Sequence, residues 1–356
     1  MTTAAAHLPK TPVPNFYDPQ DPTRVYKIDY MGREQQALAY RKAHNITKAA
    51  SDAVKLTFLI IDGQLTFCHP DYELYVAGAE KDNDRICRWI YNNLGVISKI
   101  RPTMDTHYRN QIFHPHFWVN DKGEHPTPGT QITNQDITNG VWKVNPEVAP
   151  YVASGNLGFL AKHVEYYTKQ LEAPASGNRQ RFALTVWPYH AMLGGLGHAL
   201  VPALHEAIWF HECARGAHTD LEIKGGNPLT ENYSVFRPEV LQTFNGQSIA
   251  QRNTKLIDEL IKSDIIVIGG QAASHCVAWS MYDFLTSIVA QDPSLAKKIY
   301  FVRDFTSPVI IPGILDFTDA AKKAFDDFAS QGVNIVDSTT PFEEWPGVAE
   351  IYEKAN

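Results

Sequence analysis

The chain has 356 residues, enough for one enlarged domain or two small ones around a sizeable core. Its hydrophobic fraction of 44%, charged fraction of 20% and net charge of -7 are those of an ordinary globular protein without the basic excess that nucleic-acid binding requires. Four scattered cysteines without a CxxC pair suggest neither a disulfide framework nor a thiolate zinc site, and no stretch reads as a signal peptide or membrane span. A cytoplasmic setting is the expectation.

In chain order, residues 1–50 are proline-rich and polar, then helical in pattern from Gly32 to Ala50. They read as an arm that packs on the body or on a neighbouring subunit of a homo-oligomer. The main domain is expected over 51–340 and a tail over 341–356. The apolar run 55–61 is a strand that ends in Asp62-Gly63; a helical pattern over 82–94 follows, stopped by Gly95. Residues 96–103 read as a second strand, which ends in Met104-Asp105-Thr106-His107. Between His107 and Arg181 lies a stretch too long to be a structureless loop. It reads as an insertion over about 118–180 with a helical piece near 156–171, serving as a lid or a subunit contact.

A third strand is expected over 181–186, followed by Trp187-Pro188-Tyr189-His190, then a helix over 199–214 and a short segment from Leu221 to Lys224. The run 265–268 is a strand apolar enough to be buried on both faces, and Gly269-Gly270 then lets the chain turn. Helical apolar spacing begins near His275, so Cys276 stands where strand passes to helix, and the helix dipole is expected to favour its thiolate. Further strands are predicted over 298–302 and 333–336. Strands alternating with helices predict an α/β fold with a doubly wound, mostly parallel sheet flanked by helices.

The polar residues at the strand ends carry the functional signal. Asp62, Asp105, His107, His190, Lys224 and Cys276 each follow a predicted strand, and in such a sheet those ends converge on the ligand-binding edge. Each has an ordinary alternative: a turn aspartate at Asp62, a solvated loop lysine at Lys224, a buried apolar thiol at Cys276, a cap at Asp105 or His107, and a core histidine at His190. Their coincidence at successive strand ends favours a site.

Five blocks in order, LIIDGQLTF, MDTH, VWPYH, EIKGGNPLTENYSVF and VIGGQAASHCV, resemble the isochorismatase-like cysteine hydrolase superfamily and, within it, the nicotinamidase branch. The resemblance implies Cys276 as nucleophile, Asp62 as proton acceptor and Lys224 as its charged companion. It implies a cis peptide at Gln271–Ala272, with an oxyanion hole formed by the N–H groups of Ala272 and Cys276. It also implies a divalent metal, zinc being the favoured ion, on Asp105, His107 and His190, and leaves two matches, His114 and His116, for a further histidine. The implied reaction is hydrolysis of nicotinamide to nicotinate and ammonia through a thioester. The alternative within the superfamily is another small amide, carbamoyl, ureido or hydrazide substrate, and a non-catalytic binding protein of the same fold is the reading from another class.

Overall fold

The computed structural model describes residue 8, residues 10–173 and residues 182–355. Six strands form the central sheet: β1 (Leu56–Ile61), β2 (Lys99–Asp105), β3 (Glu222–Lys224), β4 (Ile265–Gly270), β5 (Ile299–Val302) and β6 (Asn334–Val336). Their order is β6-β5-β4-β1-β2-β3, and every neighbouring pair is parallel. The middle of the sheet is covered on both faces, which is why β1, β4 and β5 are apolar without alternation. Phe58, Ile60, Ile265 and Val267 pack into one apolar layer. Leu59, Ile61, Ile266 and Ile268 pack into the other, with α4 (Cys276–Val289). Burial of each such side chain stabilises by roughly 1.5–3 kcal/mol.

The remaining predicted helices lie close to their expected places: α1 (Ala79–Asn92) after β1, α2 (Leu157–Glu172) inside the insertion and α3 (Pro202–Arg215) before β3. The N-terminal arm carries a helix over Tyr30–Ala43, tied to α3 by the Arg33–Glu206 ion pair at 2.7 Å. The C-terminal segment returns to the body, where the Trp345 ring stacks on Trp89 and Tyr300.

One predicted strand lies elsewhere. Arg181 falls outside the described residues, and Leu184–Thr185 pairs antiparallel with Gln131–Ile132 of the insertion rather than joining the central sheet. Beside β2 the edge position is taken by β3, in which Lys224 is the register partner of Asp105. The apolar content of 182–186 specifies a strand but not its partner, and the insertion supplies the one it takes.

The chain order reverses across the β1–β4 pair: β2 and β3 extend the sheet on one side, β5 and β6 on the other. In open α/β sheets the crevice beyond such a reversal is where ligands bind. Gly270 makes the close approach there possible, since at its φ of 115° a Cβ would sit 2.0 Å from the Ile61 carbonyl oxygen.

Candidate active site

Asp62 leaves β1 with φ of 45°, a left-handed turn that aspartate tolerates better than most residues. Its N–H donates to Thr103 Oγ1 at 3.0 Å, and the same hydroxyl donates back to the Asp62 carboxylate. Opposite stands Lys224 at the end of β3. Its Nζ is 2.8 Å from Asp62 Oδ2, 3.0 Å from Asp105 Oδ1 and 3.6 Å from Cys276 Sγ. Cys276 is the first residue of α4, and all four side chains are buried. The structure therefore brings the predicted sulfur, carboxylate and ammonium together, with Lys224 as the hub.

The electrostatics differ from expectation at the sulfur. Burial pushes the Cys276 thiol well above its ordinary pKa, and the pull of Lys224 does not overcome burial and the two nearby carboxylates. The helix terminus does not by itself offset that burial. Burial likewise raises Asp62 against the opposing pull of Lys224, which makes its carboxylate the better base. For Lys224 burial works against the charge but is outweighed by Asp105 and Asp62, and the ammonium is held well above the ordinary lysine range.

The peptide bond between Gln271 and Ala272 is cis. Among the described residues no backbone carbonyl accepts from the N–H of Ala272 or Cys276. The turn is anchored by Gln271, whose amide donates to Asp82 Oδ2 at 3.0 Å, while the Ala273 N–H donates to the Ser307 carbonyl at 2.8 Å.

On the other side of Lys224 lies an imidazole–carboxylate cluster. His107 Nε2 is 2.8 Å from Asp105 Oδ2 and His190 Nε2 is 3.8 Å from it. His190 reaches this position from a loop, not from a sheet strand: the His107 N–H donates to the Ala191 carbonyl at 3.0 Å, and His107 bridges in parallel to Met192. Of the two candidates for a further histidine, only His114 is beside the cluster, its ring 5.8 Å from that of His107 and 6.1 Å from that of His190. His116 turns away toward Asn145 and Glu147.

The donor set fits a cation. Nδ1 of His107, His190 and His114 faces the carbonyl of Gly225, Pro188 and Arg109, at 3.3, 2.7 and 3.3 Å respectively. A ring nitrogen opposite a carbonyl must carry the proton, so Nε2 of His190 and of His114 keeps its lone pair, the arrangement that orients metal-binding imidazoles, whereas His107 Nε2 donates to Asp105 Oδ2 at 2.8 Å and would give up that proton to bind a cation. His114 Nε2 is buried with no partner. Burial holds His114 at about 3 and His190 well below the ordinary value, so both are neutral, as ligands must be. One atom each from Asp105, His107 and His190 lies within 4.8 Å of the others. Asp62, Asp105 and Cys276 meet the same criterion, but there Lys224 already supplies the positive charge.

Sequence reasoning missed several supports. Gln64 receives the Asp105 N–H at 2.7 Å and donates to the Asp105 carbonyl at 2.8 Å, fixing the end of β2 against β1. Gly225 must lack a side chain, since at φ of 92° its Cβ would meet Asp105 Oδ1 at 2.6 Å and His107 Cε1 at 2.8 Å. Glu231, read only as part of a block, lines the cleft beside Trp187 and Tyr233, next to His107 and His190.

Fold and site together define a doubly wound parallel α/β protein with a buried cysteine–lysine–aspartate group and an adjoining imidazole–carboxylate cluster. No family profile and no curated protein sequence matches the chain. Among solved structures it is similar to an Acinetobacter baumanii nicotinamidase/pyrazinamidase, at 18% identity over 80% of this chain and 97% of the other, with a TM-score of 0.48. The yeast nicotinamidase Pnc1p is similar at 18% identity over 79% of this chain and 99% of the other, also with a TM-score of 0.48. A Pyrococcus horikoshii pyrazinamidase, solved in complex with zinc, matches at 15% identity over 80% and 99%, with a TM-score of 0.42. The described residues contain no helix long and apolar enough to cross a membrane.

Proposed function

We propose that this chain is a cysteine hydrolase that cleaves the C–N bond of a small amide through a thioester, with nicotinamide-like heteroaromatic amides as the first candidates. The observation that carries the proposal is Lys224 Nζ set 2.8 Å from Asp62 and 3.6 Å from Cys276, all three buried at the sheet's reversal point. Asp62 takes the thiol proton while Lys224 stabilises the charge developing on sulfur. Sulfur bonds to the amide carbon, the carbonyl pair moves onto oxygen, and the N–H groups of Ala272 and Cys276 receive that oxyanion. Each such donor is worth about 3 kcal/mol of transition-state stabilisation.

Protonated Asp62 then delivers its proton to the amide nitrogen, the C–N bond breaks, and ammonia leaves a primary amide. In the second half Asp62 removes a proton from water, the water oxygen bonds to the thioester carbon, the C–S bond breaks to release the carboxylic acid, and the proton on Asp62 returns to sulfur to restore the thiol. Asp105, His107 and His190, with His114 alongside, would hold a divalent ion, and the nitrogen-rich donor set suits zinc. When bound, that ion supplies a fixed positive charge and open positions that orient a water or a heteroaromatic nitrogen.

The test is ammonia release from nicotinamide, pyrazinamide, linear amides and ureido compounds, with wild type and Cys276→Ala, each with and without chelator. The proposal expects release from at least one amide by wild type and from none by a folded Cys276→Ala protein. Undiminished release by that variant would remove the thioester mechanism.

A further inference from the structure

Behind the turn that leads from β4 to Cys276 stands a buried carboxylate to which the reaction above gives no part. Asp82 lies in the first turn of α1, where an acid ordinarily faces water and serves the helix dipole. It is instead 4% exposed, and its Oδ2 accepts from Gln271 Nε2, 189 positions further along the chain, at 3.0 Å. Its Oδ1 accepts from the Arg85 guanidinium at 3.1 Å, and Arg85 lies 3.7 Å from Asp304, beyond β5. The carboxylate is thus fixed on the side away from the turn as well.

Gln271 opens the turn and is fully buried. Its N–H donates to the Ile61 carbonyl at 2.7 Å, next to Asp62, and its side-chain oxygen faces the Ser307 N–H at 3.5 Å. Further on, the Ala273 N–H donates to the Ser307 carbonyl at 2.8 Å, and Ser274 Oγ accepts the Val309 N–H at 3.0 Å. Among the described residues, the bond to Asp82 is the one anchor of the turn 271–275 made to a charged group, and such bonds are roughly twice as strong as neutral ones. Burial, the largest influence, raises Asp82 to about 6, with Gln271 the foremost group opposing the rise, so the carboxylate is ionised at pH 7.5. Without that acceptor the Gln271 amide would keep an unpaired donor in the interior and could find a partner only by moving. Ala272 is the next residue and would move with it.

We infer that Asp82 is a positioning residue for the reaction: through Gln271 it holds the turn 271–275, and with it the amides of Ala272 and Cys276, where the oxyanion forms. The inference rests on the amidase reading of the same site and adds a residue that no step of the chemistry touches. Its effect belongs to the transition state, because the oxyanion exists there and not in the bound amide. An acid that only stabilised α1 would change the unfolding free energy and leave turnover per folded molecule as it was.

The experiment compares wild type, Asp82→Ala, Gln271→Met and the double variant at pH 7.5, each shown to be folded by circular dichroism. Two quantities are read: ammonia release from an amide that wild type uses, and hydrogen–deuterium exchange in the peptide spanning 270–276. Asp82→Ala is expected to lower kcat more than about tenfold while KM stays within about twofold. Exchange in the turn should quicken by more than about threefold, with that of β1 unchanged. Because Asp82 acts through Gln271, the double variant should be no worse than the poorer single one. An unchanged kcat in Asp82→Ala, unchanged exchange in the turn, or losses that multiply in the double variant overturns the inference. Faster exchange in Asp82→Ala with no ammonia released by wild type from any amide supports the hold on the turn while overturning the amidase reading. Release that Asp82→Ala leaves undiminished does the reverse. Should Asp82→Ala fail to fold, Gln271→Met decides: the same loss of kcat with faster exchange supports the inference, and an unchanged kcat overturns it.

Discussion

Replacement of Lys224 by methionine tests the electrostatic logic of the site. The lysine lies 2.8 Å from Asp62 and 3.0 Å from Asp105, with all three side chains buried. At an effective dielectric constant of about 20, one unit pair near 3 Å attracts by roughly 5 kcal/mol, and much of that is returned as desolvation. Removing one partner of a buried pair typically costs about 3–5 kcal/mol, because the orphaned charge stays behind. Here two carboxylates are orphaned at once.

Asp62 is already raised by burial, and Lys224 is the strongest influence pulling it down, so without the lysine its pKa climbs further. A carboxyl whose folded pKa exceeds its unfolded value binds more protons when folded, and its contribution improves as pH falls toward the unfolded value. Lys224→Met should therefore lower the unfolding free energy by about 3–5 kcal/mol at pH 7.5 and by visibly less at pH 5.5. Urea denaturation followed by circular dichroism reads both values, on protein stripped of metal. Ammonia release should vanish at either pH, since a protonated Asp62 cannot accept the thiol proton. A deficit below about 1 kcal/mol, the worth of an exposed pair, or one that widens on acidification would refute the reasoning.

The two candidate histidines separate by metal titration: His114→Asn should weaken zinc binding about 10–100-fold against a competing chelator, and His116→Asn should leave it unchanged. Gly225→Ala should reduce both zinc affinity and activity, since its Cβ would meet Asp105 Oδ1 at 2.6 Å and His107 Cε1 at 2.8 Å; equal affinity would mean that the turn yields. Buried His211, whose Nε2 is 2.9 Å from the Ile97 carbonyl oxygen, is held down to about 4 chiefly by burial. Its folded pKa lies below the unfolded value of roughly 6.5, so its contribution is complete above that value and is lost as pH falls toward 4. The gap corresponds to about 3 kcal/mol, and stability in His211→Gln should decline less steeply from pH 7 to 4.5 than in wild type.

The parts of this molecule legible in its sequence are those governed by local chemistry. The apolar run ending abruptly in Asp62 is a strand end because a doubly covered strand must be apolar until it leaves the sheet, and Cys276 was placed by the apolar run 265–268 and the glycines that follow it. Lys224 was legible only through its sequence block, since its edge strand is three residues long and leaves Ile223 exposed. His190 reached the cluster by a route the sequence does not encode locally, since apolar content specifies a strand but not its partner, and the partner came from the insertion. The choice between His114 and His116, two residues apart, depends on which ring the chain turns toward Asp105. The place of Glu231 beside the cluster was invisible because its surroundings arise from Tyr167, 64 positions earlier, and from burial that folding alone creates.

The most direct measurement is the mass of the enzyme itself during turnover. Rapid acid quenching of wild type mixed with an amide that releases ammonia, followed by intact-protein and peptide mass spectrometry, should find the acyl group of that amide on the peptide carrying Cys276. The adduct should be absent from Cys276→Ala and should decay at the rate at which the acid product appears. An acyl group on another residue, or continued hydrolysis by the alanine variant, would contradict the central claim that this sulfur forms the covalent intermediate.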